Sequence, residues 1–208
     1  MGGVFDLIPT LYNDHDTVLV SVMRTLTGLA RYGEARKIMC AVAIVPTLLN
    51  LARRFNDFIT PAAIDLLCLL LDEASMQTSL MNGALPLFVE MTGKASDMVK
   101  QTGVKALVEF AKHDEKRLIK EGCVVKLAKQ ARSYQADHQD GAIRSLVVLN
   151  AHVPTIVRDA LTEANTVETL ISRLQDKSHC LTAASALVSL MTIGKSRACG
   201  SNFVSTSL

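Results

Sequence analysis

Five leucines, Leu26, Leu67, Leu107, Leu146 and Leu187, stand 41, 40, 39 and 41 residues apart. The residues around them repeat in the same register. Three positions after each comes Leu29, Leu70, Phe110, Leu149 or Leu190, and three before comes Met23, Ile64, Val104, Ile143 or Ala184. Four positions before, the column reads Val22, Ala63, Gly103, Ala142 and Ala183, mostly small residues. Offsets of −4, −3, 0 and +3 fall on one face of an α-helix, so each unit contains a helix with a continuous apolar stripe. A period between 20 and 50 residues marks a stacked architecture, because one such unit cannot bury its stripe alone. The small column predicts close approach by a neighbouring helix.

A second motif recurs between these stripes: "LIPTL" (7–11), "IVPTL" (44–48), "ALPLF" (84–88), "CVVKL" (123–127) and "NTVETL" (165–170). Pro9, Pro46 and Pro86 occupy its third position, and proline is tolerated in the first helical turn because its missing N–H would have no intrahelical partner. Ala43, Gly83, Gly122 and Ala164 precede the motif and predict a sharp corner. Shorter segments lead into the later corners: "GEARKIMCA" (33–41), "EASMQTSLMNG" (73–83), "DEKRLIKEG" (114–122) and "PTIVRDALTEA" (154–164). Several start with acidic residues, which suit a helix N-terminus. Each unit thus reads as short helix, corner, second helix, loop and long third helix. The expected division is a partial repeat over 1–32 that lacks its short helix, and full repeats over 33–72, 73–113, 114–153 and 154–194. A tail, 195–208, matches none of the columns, and the whole reads as one continuous domain.

Composition agrees with helices packed on helices. The chain is 49% hydrophobic, but aromatics make up 4% and tryptophan is absent, whereas sheets favour aromatic and β-branched residues. The net charge of +2 favours no polyanionic partner in bulk, although eleven of the 22 lysines and arginines lie between Lys94 and Arg144. Five cysteines without a CxxC pair sit mostly in apolar helical patterns, where a reduced thiol acts as a small hydrophobe. The expectation is a reducing compartment, the cytoplasm or alternatively the nucleus. No apolar run reaches the roughly 18 residues that a bilayer span needs, and the N-terminus lacks a signal peptide's pattern.

Three helices in about 40 residues, with a corner of the form G/A-x-[LV]-P-x-L and a third helix of the form A-x-x-x-L-x-x-L, resemble the armadillo repeat over residues 3–193. The resemblance implies an all-α, right-handed solenoid of about five armadillo-like repeats, the first one partial, with HEAT repeats as the near alternative. It also implies a binding surface lined by third helices and no chemistry of its own. In importin-alpha-like members, a tryptophan two residues before the anchor and an asparagine two residues after it clamp basic peptides. Here the first column reads Arg24, Asp65, Lys105, Arg144 and Ser185, and the second reads Gly28, Leu69, Glu109, Val148 and Ser189. Neither ladder is present, which argues against recognition of basic nuclear-import signals. The mildly basic row Arg24, Lys105 and Arg144, interleaved with Asp65 and Glu109, suits an acidic extended segment of a partner protein, as in β-catenin-like members. The plainer expectation is that these are solvated surface positions.

A second basic feature, Lys126, Lys129 and Arg132, steps along one helix by threes. Nearby aromatics other than Tyr134 are lacking, so a solvated outer face is expected there rather than a nucleic-acid site. The phrase "KLAKQAR" (126–132) resembles UCS-type myosin chaperones, so a chaperone fragment is one alternative function and a structural spacer is another. The polar loops "SYQADHQD" (133–140) and "YNDHD" (12–16) are either spacers or contact points. Sequence motifs for an enzyme are absent: there is no GxGxxG, P-loop, HExxH or GxSxG. His179 and Cys180 are adjacent and would point about 100° apart on a helix. His15–Asp16 and His113–Asp114 read as chance pairs in loops. The expectation is a non-catalytic protein-binding module without metal or cofactor.

Overall fold

The structure, a computed structural model, describes residues 2–42, 44–71, 78–79, 82–132, 136–152, 154–163, 166–174, 183–184 and 187–188. Among the described residues every regular element is helical. In chain order these are α1 (Gly2–Leu7), a 3₁₀ segment (Ile8–Tyr12), α2 (Asp16–Leu29), α3 (Gly33–Ala41), α4 (Val45–Ala52) and α5 (Ile59–Leu69). They continue with α6 (Ala84–Thr92), α7 (Asp97–His113), α8 (Glu115–Lys120), α9 (Cys123–Gln130), α10 (Ala136–His152), α11 (Pro154–Glu163) and α12 (Thr166–Arg173). The long third helices of the sequence repeat are α2, α5, α7 and α10, and the proline-corner motifs open the 3₁₀ segment, α4, α6, α9 and α12. One detail differs from expectation: residues 2–7, which contain no periodic signal, form α1 and supply a short helix in front of the first corner. Ala43, Ala164, the tail, and most of 73–83 lie outside the described residues.

The chain divides into two compact units, Met1–Ala106 and Leu107–Leu208. In the first, α5 packs on both α4 and α2, burying Leu26, Leu67, Met23, Ile64, Leu48 and Leu49 completely. In the second, α9 packs on α10 and α11, and Leu127, Leu146 and Leu149 are buried, as are Leu107 and Phe110 of α7. Leu187 is half-buried. Dense aliphatic packing of this kind supplies most of the stability of helices too short to persist alone.

The corners behave as their small residues require. Gly83 and Gly122 precede α6 and α9 with φ of 72° and 63°, in the left-handed region that glycine adopts without steric penalty. At the other end of the second helix, a polar residue in the first turn of the third helix reaches back to close the connection. Thr60 Oγ1 donates to the Ala52 carbonyl at 3.2 Å, and Gln139 Nε2 donates to the Ala131 carbonyl at 3.0 Å. Lys100 stands at the equivalent place in α7 and is also buried, with its ammonium 3.5 Å from Asp97.

Gly103 lies in the small column, and a Cβ built there would sit 2.8 Å from Met91 Cβ and 2.9 Å from the Phe88 carbonyl oxygen. The backbones of α6 and α7 therefore touch where any side chain would intrude. Gly28, also helical, has nothing within 4 Å of such an atom. Gly103→Ala should accordingly lower the unfolding free energy by about 1–3 kcal/mol through overpacking. Gly28→Ala should raise it by about 0.5–1 kcal/mol through helix propensity. Urea unfolding followed by circular dichroism measures both, and equal effects at the two sites would contradict the close approach.

Candidate binding face of the third helices

Positions two residues before the buried leucines lie on the opposite side of the third helices. In the first unit these are Arg24 on α2, Asp65 on α5 and Lys105 on α7. Arg24 and Lys105 are exposed and Asp65 partly so. The structure brings two of them together: Lys105 Nζ donates to Asp65 Oδ1 at 2.6 Å, bridging α7 and α5. Arg24 has no hydrogen bond or ion pair among the described residues. In the second unit, Glu109 accepts from Lys112 Nζ at 2.7 Å on the same helix, and Arg144 is exposed on α10. The row therefore holds one internally balanced pair, Asp65–Lys105, while Glu109 is balanced by Lys112 from outside the row. Ser185 and Ser189 lie outside the described residues. In the column two residues after the leucines, Gly28 and Val148 are exposed and Leu69 is half-buried.

Lys126, Lys129 and Arg132 are all exposed, beside and opposite the buried Leu127 and Ala128 of α9. Of the stretch expected as a loop, 133–140, residues 136–140 instead form the first turn of α10, and 133–135 lie outside the described residues. Beneath the stripe, Val124 and Val125 of α9 meet Ile156, Asp159 and Ala160 of α11 across a cleft of about 190 Å³.

A polar ladder that sequence reasoning missed runs along the N-terminal ends of the third helices in the first unit. Asn56 accepts from the N–H groups of Phe58 and Ile59 through Oδ1, capping α5. Its Nδ2 donates at 3.3 Å to Asp16, the first residue of α2 one repeat earlier. Arg54 adds an ion pair to the same carboxylate at 3.8 Å. Ser96 repeats the arrangement: its Oγ accepts from the Val99 N–H and donates to the Asp57 carboxylate. Asp16, Asp57 and Asp97 are 41 and 40 residues apart, the spacing of the leucines, so the signal was present in the sequence. Carboxylates there also meet the positive ends of the helix dipoles.

The histidine–aspartate neighbours take structural roles on their acidic side. Asp16 belongs to the ladder, and Asp114 caps α8 by accepting from the Arg117 N–H at 3.1 Å. His179 and Cys180 are outside the described residues. Among the described residues no three histidine, cysteine or carboxylate side chains gather as a metal set. No single helix among them is long and apolar enough to cross a membrane. Cys123, fully buried at the start of α9, has its thiol pushed up to about 11 by burial, against a smaller lowering by Lys126. It is held as the neutral thiol, the unreactive form.

Solved structures with the same arrangement are repeat proteins. A designed armadillo repeat protein in complex with the peptide (KR)4 superposes with a TM-score of 0.61 at 17% identity, covering 91% of this chain and 82% of that one. Computationally designed armadillo repeat proteins for modular peptide recognition give 0.56 at 19% identity, over 88% of this chain and 80% of that one. The fold is armadillo-like. A further engineered protein matches with a TM-score of 0.62 at 20% identity, over 91% of this chain and 80% of that one. No protein-family model matches this armadillo-like chain, and no curated protein is similar to it.

Two measurements follow. Asp65→Lys and Lys105→Glu should each destabilise the fold modestly, and the double swap should restore stability. The coupling should be about 0.2–1 kcal/mol, because both side chains are half-exposed and screened by solvent. A double-mutant cycle by urea unfolding reads it directly, and it should shrink in high salt. Cys123 should resist thiol reagents in the native state. The native thiol holds its proton above the ordinary value of 9.0, so stability should fall as pH rises from there toward about 11. Cys123→Ala should remove that alkaline slope.

Proposed function

We propose that this chain is a non-catalytic protein-binding module whose third helices present the surface for an extended segment of a partner. The observation that carries the reading is the exposed row Arg24, Asp65 and Lys105 on successive third helices of the first unit, backed by fully buried leucines two residues on. The leucines fix the helices, so the row is a preformed surface and little ordering is needed on binding. Structural neighbours made for peptide recognition support the same kind of use.

The partner segment carries a carboxylate that meets Arg24, while the Asp65–Lys105 pair offers both a donor and an acceptor beside it. Arg144 and Glu109 give the second unit an analogous mixed surface. Charged groups of this sort orient a partner and set its specificity more than they add affinity. A run of alternating lysine and arginine, as in the peptide (KR)4 bound by one neighbour, would bring cations against Arg24 and Lys105. The reducing cytoplasm or nucleus is the setting in which the module works. Service as part of a larger chaperone, or as a spacer, has no specific observation in its favour.

The test is affinity capture from lysate. The wild-type chain is compared with Arg24→Glu, and with Arg24→Glu combined with Arg144→Glu and the paired swap Asp65→Lys, Lys105→Glu. Circular dichroism confirms retained helicity. A captured protein should lose at least tenfold in recovery with the charge changes. Unchanged capture in every variant would remove the third-helix face as the site.

A further inference from the structure

Solvent reaches α5 along one narrow stripe. From Ile59 to Leu67 only Pro61 and Asp65 are not buried, and the exposed Phe58 precedes them on the same side, since offsets of 0, 3 and 7 share one helical face. Helix α7 repeats the pattern, with Met98, Gln101 and Lys105 exposed. The Asn56 and Ser96 carbonyls accept from the N–H groups of Thr60 and Lys100, which aligns the starts of the two helices and makes Phe58 and Met98 equivalent. Phe58 is 70% exposed and Met98 52%, whereas Phe88 and Phe110 fill the core. The apolar pair therefore stands on the same face as the charged row, at the other end of the same stripes.

Two bonds hold these stripes side by side. Ser96 Oγ donates to the Asp57 carboxylate at the starts of α7 and α5, and Lys105 Nζ donates to Asp65 Oδ1 at 2.6 Å about two turns further on. Phe58, Pro61 and Met98 lie between the ties and border one shared, largely apolar surface, with the ion pair at its far end. On α2 the His15 carbonyl accepts from the Leu19 N–H, so Thr17 takes the place of Phe58 there and Arg24 that of Asp65.

We propose that the Phe58–Met98 surface receives an aromatic side chain of the partner segment, about four residues of extended chain from the carboxylate that meets Arg24, and this rests on the third helices being the partner's site. An aromatic group suits both walls: it packs offset or edge-on against the Phe58 ring, and the Met98 thioether favours aromatic neighbours. The helices set the spacing. Arg24 lies seven residues along the third helices from the level of Phe58, a rise of about 10 Å, and on a neighbouring helix about 8–10 Å away. The diagonal of about 13–14 Å is spanned by about four extended residues, and side chains four apart in such a segment point the same way. One segment thus reaches both places at once.

Selection of random dodecapeptides displayed on phage, against the immobilised full-length chain, tests the proposal. The recovered peptides should be enriched in an aromatic residue with aspartate or glutamate about four positions away. Fluorescence anisotropy of those peptides then compares the wild-type chain with Phe58→Ser, Met98→Gln and Arg24→Glu, with helicity checked by circular dichroism. Phe58→Ser and Met98→Gln should each weaken binding by about tenfold, and replacing the peptide's aromatic residue by alanine should then cost little more. Arg24→Glu should weaken the same peptides through their acidic residue. Binding that falls with Arg24→Glu but is unchanged by Phe58→Ser and Met98→Gln would overturn the aromatic subsite and leave the third-helix face standing. Binding indifferent to all three changes would overturn both, as would a selection that recovers no peptide.

Discussion

Everything in this structure rests on the contact of one helical unit with the next. A helix of eight to seventeen residues with one apolar stripe gains too little by itself to offset the entropy of ordering its backbone. The stripe becomes stabilising once a second helix covers it. Leu67, Ile64 and Ala63 on α5 are fully buried because α4 and α2 flank that helix. The small residues four positions before the leucines set how near the backbones come, and Gly103 marks the tightest place. Close backbone approach raises the number of dispersion contacts per residue, which suits a chain with almost no large aromatics to fill gaps.

The fold was legible in the sequence because the same physical requirement is met repeatedly at nearly constant spacing. Leu26, Leu67, Leu107 and Leu146 must each be buried, and they are. The left-handed glycines at 83 and 122 follow from the corner motif in the same way. Helix α1 was not legible, since six residues with two glycines carry no periodic signal and are held by packing against α2 and α3.

The candidate site was read less fully. The positions of Arg24, Asp65 and Lys105 on exposed surface follow from helical geometry. Their pairing does not, because an ion pair between residues 40 apart depends on how two helices are set side by side. The expectation of a mildly basic row interleaved with Asp65 and Glu109 rests on charges alone, and it does not show that Asp65 pairs with Lys105 and Glu109 with Lys112. The aspartates at 16, 57 and 97 did carry the repeat spacing. Being polar, they fall outside the apolar periodicity that marks the buried stripes.

Asn56 and Ser96 each serve two helices at once, ending the exposed amides of their own and holding an aspartate at the start of the preceding one, Asp16 in the first turn of α2 and Asp57 just before α5. Such a residue cannot keep one bond when the other helix melts without losing part of its fixed orientation. Local fraying in one repeat therefore weakens the cap of the next, and thermal opening spreads along the chain as a nearest-neighbour process. In the first unit the ladder thus ties the starts of α2, α5 and α7 to one another, so that protection of their first amides is shared between neighbouring repeats.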